Sequence, residues 1–468
     1  MGGNQGSEGG RNRAQKASVL RGFKVYEKLA TVAGAVAWPW LYWRLHSRGY
    51  GESFRARLGL ALPVVPPPNG QPRIWLHGVS VGEIAGAAPL IQTLQTRLPH
   101  AHLLFSTTTE TGQAVARRLY GQAGTVFYYP LDVPWSVQRL LARVQPSLYV
   151  TLETEIWPNF LLAAHARGVS LALVNGRLSE HSLRNYLKFN NYISYILQLF
   201  SVIAVSSPED QERFIALGAD PARLVCTGNT KFDRWPTAAD LAQLQLYRQR
   251  LQILNEPVFL AASTHPGEEE IIVQAYQELR RACPALLLLL APRHPERAGS
   301  VGRLLDAAGL DWQSWQQLKS GRGQRQSPVV IIDTIGDLFT LYGLADVVLV
   351  GGSLVPHGGQ NILEPAVWGK VPLYGPHLDN FRAAQSLLEK VAAGFPITDG
   401  PSLVLAGRYC LEHPDDLQGR GVQGRQALEA HRGAAQRQAD LLLTLLPPPD
   451  HVTGVPCSEF QASRKPIF

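Results

Sequence analysis

The sequence predicts an α/β protein made of two doubly wound domains, each built on a parallel sheet that is covered by helices on both faces. Short, nearly continuous apolar runs alternate with longer amphipathic stretches along most of the 468 residues. Strands that are buried on both faces are apolar throughout, which distinguishes them from the alternating strands of a half-exposed sheet. The pattern also restarts once near the middle of the chain. The composition, 45% hydrophobic and 17% charged, is that of a globular protein with real cores.

The apolar runs give the predicted strands of each half. In the first half they are Arg73–His77, His102–Ser106, Val126–Tyr129, Leu148–Leu152, Ser170–Val174, Val202–Val205 and Leu224–Thr227. In the second half they are Val258–Ala262, Leu286–Leu290, Val329–Ile332, Val347–Val350 and Val371–Tyr374. Helices are predicted between most of them, including Glu83–Leu98, Thr237–Asn255 and a last helix over Gln426–Leu446. The composition of Ser320–Ser327 indicates a surface loop.

These elements predict four segments. Residues 1–62 form a basic arm and membrane anchor, 73–235 a first Rossmann-like domain, 250–447 a second, and 448–468 a tail. The proline-rich stretch 63–72 is a stiff linker. Ligands of open parallel sheets bind at the carboxyl ends of the strands, so the predicted site is a central cleft that the two domains face. This is the architecture of GT-B glycosyltransferases, but other two-domain α/β proteins fit these patterns nearly as well.

The net charge of +7 is concentrated at the N-terminus. Residues 1–60 contain ten Lys and Arg and three acidic residues, and the rest of the chain is neutral. Such an arm predicts a local anionic partner, either lipid head groups or nucleic acid. Nucleic acid would more often need a second basic surface, which the charge balance does not offer. The four cysteines form no CxxC pair, which indicates neither a zinc site nor a disulfide framework and favours a reducing compartment.

The stretch Leu29–Trp43 predicts membrane association. It has no charge, is rich in Trp and Tyr, and contains Pro39. Its 15 residues fall short of the about 20 that span a bilayer. Aromatic rings beside Arg44 and Arg48 suit the interface between membrane and water, so we expect a shallow anchor. The alternative is a buried first helix of the soluble body.

Acidic residues follow two predicted strands of the first domain. Glu83 comes one turn after the glycine-containing segment that follows the first strand, where a carboxylate can act as a general base or can simply cap the helix. Glu153 and Glu155 follow the strand at Leu148–Leu152, and residues two apart in an extended segment share one face. They are either functional or tied up in ion pairs. Arg177, after another strand, either binds a carboxylate or phosphate or pairs with one of these acids.

Polar and glycine-rich segments follow the strands of the second domain. Hydroxyl, imidazole and guanidinium groups of Ser263, Thr264, Arg293 and His294 suit a nucleotide phosphate, although a lone histidine is more often structural. The segment Gly351–Pro365 reads GGSLVPHGGQNILEP. Its backbone N–H groups are expected to hold a phosphate, and an acid one turn into the helix is expected to accept ribose hydroxyls. The candidate residues are Gly352, Ser353, Gly359, Asn361 and Glu364. The alternative is a connecting loop.

Several catalytic motifs are absent from the sequence. There is no Walker A, GxSxG, HExxH or EF-hand pattern. There is also no Asp-x-Asp pair for a metal-bound nucleotide, which argues against a metal-dependent sugar transferase.

Taken together, these motifs resemble the family of Kdo (3-deoxy-D-manno-octulosonic acid) transferases. The similarity runs in order from about Tyr26 to Leu446, and nine ordered motifs are far more specific than any one of them. The matching segments are HGVSVGE, LETEIWPN, NGRLS, VCTGNTKFD, STHPGEE, PRHPER, DTIGDL, GGSLVPHGGQNILEPA and YGPHLDNF. The arm segment YGESFRARLG is also similar to the family's N-terminal anchor region. Residues 1–16 and 449–468 extend beyond the matching core.

The resemblance implies a GT-B enzyme of lipopolysaccharide core biosynthesis that transfers Kdo from CMP-Kdo to a lipid A disaccharide precursor. It implies inversion at the anomeric carbon without a metal ion or cofactor, at the cytoplasmic face of the bacterial inner membrane. Glu83 matches the family's catalytic base, and the ETEIWPN segment matches a second essential acidic region, with Glu153 and Glu155 both possible. Arg177 is the candidate partner of the Kdo carboxylate. The CMP-binding half contains Lys231, Arg293, His294, Gly352, Ser353, Asn361 and Glu364.

Two rival functions stay open. One is a GT-B transferase or epimerase that uses a UDP-sugar. The other is a non-catalytic membrane adaptor that binds nucleotide, against which the retained Glu83 argues. The sequence leaves open the number of Kdo residues added, the acyl-chain preference and the oligomeric state.

Overall fold

The computed structural model describes residues 19, 21–28, 31–32, 51–321 and 323–446. Most of the predicted anchor Leu29–Trp43 and all of 1–16 and 449–468 lie outside the described residues. The chain divides into two compact units, one that ends at Thr230 and resumes at Gly433, and one that comprises Lys231–Arg432. No helix in the described ranges is long and apolar enough to cross a membrane.

The first unit contains a parallel sheet of seven described strands in the order β3-β2-β1-β4-β5-β6-β7. The strands are β1 (Arg73–His77), β2 (His102–Thr107), β3 (Gly124–Tyr128), β4 (Leu148–Thr151), β5 (Ser170–Gly176), β6 (Val202–Val205) and β7 (Leu224–Cys226). The chain winds outward from β1 to β3 and then returns to the other side at β4. The neighbouring strands β1 and β4, which pair in parallel, therefore mark the point where the strand order reverses.

Helices cover both faces of this first sheet. They are α1 (Gly51–Arg57), α2 (Val81–Gly86), α3 (Ala88–Arg97), α4 (Glu110–Tyr120), α5 (Pro134–Val144), α6 (Pro158–Ala166), α7 (Glu180–Leu187), α8 (Asn190–Leu197) and α9 (Pro208–Ala216), with a 3-10 turn at Pro221–Arg223. Residues 21–28 are also helical. Successive residues of β1 enter opposite cores: Trp75 packs with Tyr149 and Phe160, whereas Ile74 and Leu76 pack on the other face. All five side chains are buried because both faces are covered.

The second unit repeats this architecture with the strand order β10-β11-β9-β8-β12-β13-β14. Its strands are β8 (Val258–Thr264), β9 (Leu287–Pro292), β10 (Trp312–Ser314), β11 (Val329–Ile331), β12 (Val347–Val350), β13 (Pro372–Tyr374) and β14 (Phe395–Pro396). Here the order reverses between β8 and β12, which are paired in parallel. The predicted class, two doubly wound α/β halves, is confirmed.

The helices of the second unit again lie on both faces of its sheet. They are α10 (Ala238–Arg250), α11 (Glu269–Ala282), α12 (Ala298–Ala307), α13 (Trp315–Lys319), α14 (Leu338–Leu341), α15 (Leu363–Val367), α16 (Arg382–Lys390), α17 (Gly400–Glu412) and α18 (Pro414–Glu429). Short 3-10 turns occur at Thr230–Asp233, Pro295–Arg297, Tyr342–Leu344 and Asp379–Phe381. The final helix, α19 (Ala434–Thr444), follows the unit boundary.

Two long predicted helices are each divided in the structure. The predicted helix Glu83–Leu98 is α2 and α3, because Pro89 has no N–H and restarts the helix as an N-terminal residue of α3. The predicted helix Gln426–Leu446 is the end of α18 plus α19, separated at Gly433, whose φ of +88° is a left-handed conformation that glycine adopts readily. Strands β10 and β14 were not predicted, since they are short edge strands with little apolar character.

Helix α19 packs in the first unit, which corrects the predicted second domain of residues 250–447. Its Ala439 and Leu442 join the core beside β1. The buried amide of Gln438 donates to Asn175 at 2.9 Å, and the Arg437 guanidinium donates to the carbonyl of Thr227 at 2.8 Å. Nothing in the periodicity of α19 indicates which sheet it covers.

Gly421 should be essential for the packing of α18. A Cβ at this position would lie 1.8 Å from the carbonyl oxygen of Gly369, in the turn after α15, so the backbone would have to shift. We expect Gly421→Ala to destabilise the second unit by about 1–3 kcal/mol, as overpacking does. Gly419→Ala, on the same helix with open space around its Cβ, should be neutral or stabilising by up to about 1 kcal/mol. Equal urea midpoints for the two variants would contradict this packing.

Candidate active site

The predicted acidic residues of the first unit follow β1 and β4, where the strand order reverses. His77 and Thr151, the last residues of these strands, are directly paired. The carboxyl ends of two neighbouring parallel strands lie at the same edge of the sheet, which brings the segments containing Glu83 and Glu155 together.

Glu83 lies at the start of α2, and its carboxylate is held by the turn that precedes the helix. One oxygen accepts from the backbone N–H of Val79 at 2.6 Å, and the other accepts from the Ser80 hydroxyl at 2.9 Å. Ser80 is the N-cap of α2 and accepts from the N–H of Glu83. The capping interpretation is therefore correct, and it fixes the orientation of a half-buried carboxylate at this edge of the sheet.

Glu155 is the carboxyl group of the site with the most unusual ionisation. Burial is the main cause that raises its pKa to about 7, and the negative charges of Glu83 and Glu153 raise it further. A carboxyl group with a pKa near neutrality can exchange a proton under working conditions. The structure therefore brings Glu83 and Glu155 into electrostatic contact and distinguishes Glu155 from Glu153, for which the sequence offered no criterion.

Aromatic side chains explain the burial of Glu155. The ring of His77, which is fully buried, stacks on Tyr129 with centroids 3.8 Å apart, and burial lowers the pKa of His77 to about 3, so the ring is neutral. The charge of Glu155 contributes to the raised pKa values of Tyr129, Tyr149 and Tyr186. These rings were missed from the sequence, because an aromatic residue in an apolar strand is first interpreted as core.

The loop that contains Glu153 and Glu155 is anchored to the end of β5. The Thr154 hydroxyl donates to the carbonyl of Arg177 at 2.5 Å, and the backbone N–H of Arg177 lies 3.1 Å from the same hydroxyl oxygen. Arg177 therefore lies beside the acidic loop, as its position after the strand predicted. Asn175, which has a φ of +53°, is buried and bonds to Thr230, so it has a structural role.

In the second unit, several predicted phosphate ligands are used by the fold itself. The fully buried carboxylate of Glu268 accepts from the backbone N–H groups of Gly352, Ser353 and Leu354 at 2.7, 3.1 and 3.0 Å. Moreover, the Ser353 hydroxyl donates to the carbonyl of Val350 and accepts from the N–H of Gly375. The backbone N–H groups of Gly352 and Ser353, which were expected to hold a phosphate, are thus occupied by an internal carboxylate in this structure.

Two further residues that were predicted to bind the donor nucleotide, Thr264 and Gly359, also form hydrogen bonds within the fold. The Thr264 hydroxyl is buried and donates to Glu269 at 2.9 Å, and Glu269 in turn forms two hydrogen bonds with Arg297, at 2.7 and 3.2 Å. The backbone N–H of Gly359 donates to the carbonyl of Gly352 at 2.8 Å. Thr264 and Gly359 therefore position the loops. The sequence missed the structural acids Glu268 and Glu269, for which the only signal was an acidic pair opening a helix.

Ser263 lies where two loops approach each other closely. Its φ is +55°, a strained conformation for a serine, and its side chain is half-buried. A Cβ on Gly351 would lie 2.6 Å from the Ser263 carbonyl oxygen, which explains the glycine at the end of β12.

Arg293, Asn361 and Glu364, three of the remaining residues predicted to bind the donor, lie close together. Burial is the largest cause that raises the pKa of Glu364, and the amide of Asn361, at 3.2 Å, and the charges of Arg234 and Arg293 oppose it. Arg234 was not predicted: it bonds to Asp240 and lies 4.0 Å from the centre of the Phe339 ring.

Lys231 and His294 lie in different loops of the second unit. The Lys231 ammonium is 6.0 Å from the centre of the Phe381 ring. The exposed ring of His294 belongs to a group of three imidazoles with His265 and His357. Within the described residues, no three His, Cys, Asp or Glu side chains are arranged to hold a metal ion.

Comparisons with known proteins identify relatives over most of the chain. A sequence model described as 3-deoxy-D-manno-octulosonic-acid transferase (kdotransferase) matches residues 52–234. A Haemophilus influenzae protein named 3-deoxy-D-manno-octulosonic acid transferase is 35% identical over 380 residues, which cover 81% of this chain and 87% of the relative. A Bordetella pertussis protein of the same name is 35% identical over 417 residues, which cover 86% and 95%.

Solved structures share the fold at low sequence identity. UDP-GlcNAc 2-epimerase from Neisseria meningitidis has a TM-score of 0.54 at 13% identity over 80% of this chain and 100% of that chain. A glycosyltransferase from Rickettsia africae has a TM-score of 0.53 at 14% identity over 81% and 99%. Together with the two parallel sheets, these similarities confirm the predicted GT-B type fold.

Glu268 should be required for the stability of the second unit. Glu268→Gln leaves one acceptor oxygen for four backbone N–H groups, including that of His265 at 2.9 Å, and places an amide NH2 against donors. We expect a loss of about 2–4 kcal/mol in the free energy of unfolding, measured by urea denaturation. Glu270→Gln, at an exposed position on α11, is the matched control and should change stability by less than about 0.5 kcal/mol. A Glu268→Gln protein as stable as the control would contradict the structural role of this carboxylate.

Proposed function

Because the chain belongs to the 3-deoxy-D-manno-octulosonic-acid transferase family, we propose that it transfers Kdo from CMP-Kdo to a lipid A disaccharide precursor. The observation that carries this proposal is the coupled pair Glu83 and Glu155 at the β1–β4 reversal, since a transferase needs a base for the acceptor hydroxyl, whereas a nucleotide-binding adaptor does not. The Haemophilus and Bordetella relatives, which are named 3-deoxy-D-manno-octulosonic acid transferases, support the transfer of Kdo.

The proposed reaction is a single in-line displacement that inverts the anomeric carbon. The oxygen of an acceptor hydroxyl forms a bond to that carbon while the bond to the CMP phosphate oxygen breaks. The bonding electron pair leaves with CMP, and the hydroxyl proton passes to Glu83. The N–H of Val79 and the hydroxyl of Ser80 hold the carboxylate in position. When Glu83 and Glu155 are both ionised, their negative charges repel each other. The pair therefore has a higher affinity for a proton and is a stronger base than an isolated glutamate.

Donor binding is assigned to side chains of the second unit, because several backbone N–H groups of its glycine loop are occupied. Glu364, with Asn361, is proposed to accept the ribose hydroxyls. Arg293 and Lys231 are proposed to neutralise the phosphate as charge develops on it. In the first unit, Arg177 beside the acidic loop is proposed to bind the Kdo carboxylate. No step of this scheme requires a metal ion.

The acceptor is a lipid, so we also propose that the enzyme works at the cytoplasmic face of the inner membrane. The concentration of positive charge in residues 1–60 and the aromatic, uncharged stretch 29–43 support attachment to an anionic membrane surface.

Replacement of Glu83 by Gln should abolish transfer while nucleotide binding persists. Detergent-purified protein is incubated with CMP-Kdo and a lipid A precursor, and mass spectrometry of the lipid counts the Kdo residues added. We expect Glu83→Gln to lower kcat about 100- to 10,000-fold, because a general base contributes this much. Glu180→Gln, an exposed residue in the first turn of α7, is the control and should transfer normally. A Glu83→Gln enzyme with near-normal kcat would refute the base, and a wild-type protein that binds only UDP-sugars would refute the proposed donor.

The acid limb of the pH profile should depend on Glu155. If the pair with both protons removed is the base, kcat/KM for the lipid acceptor, measured at saturating CMP-Kdo, falls about tenfold per pH unit below the pKa of Glu155, which is about 7. In Glu155→Gln the group that titrates at about pH 7 is absent and the repulsion is removed, so the acid limb should move to lower pH. The rate at pH of about 8 should fall about tenfold, because the remaining carboxylate is a weaker base. An unchanged midpoint in Glu155→Gln would contradict the coupling of the two carboxylates.

A further inference from the structure

Three imidazole rings lie close together at the carboxyl edge of the second sheet. His265 follows β8, His294 follows β9, and His357 lies in the glycine loop after β12. The rings of His265 and His357 are stacked, with centroids 4.3 Å apart and planes inclined by 20°. His294 lies edge-on to His265 at 6.3 Å. This group straddles the reversal between β8 and β12, the position where sheets of this kind bind ligands.

The neighbouring side chains that shift the pKa of His265 are all basic. Burial lowers its pKa to about 4, and the neighbouring His357, His294, Arg293 and Arg297 lower it further. On the loop side, the amide nitrogen of Gln360 lies 3.4 Å from Nε2 of the ring.

The carboxylates near this group are each engaged with another partner. Glu268 accepts from backbone N–H groups, including that of His265, and Glu269 is paired with Arg297. Glu296 lies 3.5 Å from the His294 ring at the exposed rim, and Glu364 faces Arg293. Among the described residues, none of these carboxylates forms a hydrogen bond or ion pair with the ring of His265 or His357.

The repulsion between two positive charges across a partly buried contact opposes the protonation of both stacked imidazoles. An oxyanion at the rings removes this obstacle, and the anion and the proton then stabilise each other. The pair is thus arranged to accept a negative charge and a proton together.

We propose that His265 and His357 bind an oxyanion of the sugar nucleotide and take up a proton as the donor binds. This inference rests on the proposed function, since it assigns a subsite to the acidic donor. CMP-Kdo has two such oxyanions, the phosphodiester and the sugar carboxylate, and the chemistry of the pair suits either.

The sign of the pH dependence follows from the linkage of proton and donor. Donor binding raises the pKa of His265 above its value in the free protein, which is about 4. The affinity for CMP-Kdo that proton uptake adds is fully present when the pH is below the pKa of His265 in the free protein. It is lost as the pH rises through the pKa of His265 in the donor-bound protein. Between these two values the affinity falls by up to about tenfold per pH unit.

The test is the KM for CMP-Kdo between about pH 5.5 and about pH 8.5. In the wild type, KM should rise with pH. In the double variant His265→Gln/His357→Phe, which keeps a ring in the loop but has no ionisable pair, KM should be nearly independent of pH. His357→Arg, with a permanent charge, should lower KM at high pH by about threefold or more and flatten the profile. His165→Asn, an exposed histidine on α6, is the control and should retain the wild-type profile.

Inhibition by CMP identifies the oxyanion. The ionisation of CMP itself is common to both proteins and cancels in the ratio of the wild-type and double-variant inhibition constants. If the ratio of the inhibition constants changes with pH, His265 and His357 bind the phosphate. If the ratio is constant while the KM for CMP-Kdo still rises with pH in the wild type, they bind the sugar carboxylate. The same KM profile in wild type and double variant would overturn the inference although transfer is normal. Absence of any CMP-Kdo consumption by the wild type would instead refute the proposed function.

Discussion

The repulsion between Glu83 and Glu155 is the interaction on which the candidate site of the first unit depends. Two parallel strands that end side by side place two carboxylates at one edge of a buried sheet. The nearby aromatic rings of His77, Tyr129 and Tyr149 exclude water, which would otherwise screen the two charges. One carboxylate is stabilised by hydrogen bonds from Val79 and Ser80. For the other, Glu155, burial and the negative charge of Glu83 raise the pKa to about 7. The strand order thus gives two ordinary acids the raised proton affinity that the proposed base requires.

Buried acids have the opposite role in the second unit. Glu268 accepts from the backbone N–H groups that a phosphate would otherwise use, and Glu269 binds Thr264 and Arg297. These carboxylates shape the loops after β8 and β12, and the proposed recognition of the donor therefore uses side chains such as Arg293, Asn361 and Glu364. A glycine-rich loop at a strand end therefore does not by itself identify a phosphate site. The partners of its N–H groups must be known.

Patterns within a single element were predictable, and contacts between distant elements were not. The apolar runs located Arg73–His77 and Val347–Val350 to the residue, because strands buried on both faces have a strong signal. The edge strands β10 and β14 have too little apolar character to be recognised. The sequence also showed that Glu153 and Glu155 follow a buried strand, but only the packing of Tyr149 and the position of Glu83 distinguish them. Likewise, Gly352 and Ser353 resemble phosphate ligands until the carboxylate of Glu268, 84 and 85 residues away, is found on their amides.

The most direct test of this account is a titration of the glutamate carboxyl carbons by NMR in protein labelled with 13C at those positions, without substrates. The account predicts one carboxyl resonance that titrates near pH 7, is absent in Glu155→Gln, and moves to lower pH in Glu83→Gln. If every glutamate in the wild type titrates below about pH 5, the two carboxylates are not coupled, and the assignment of this pair as the base is wrong.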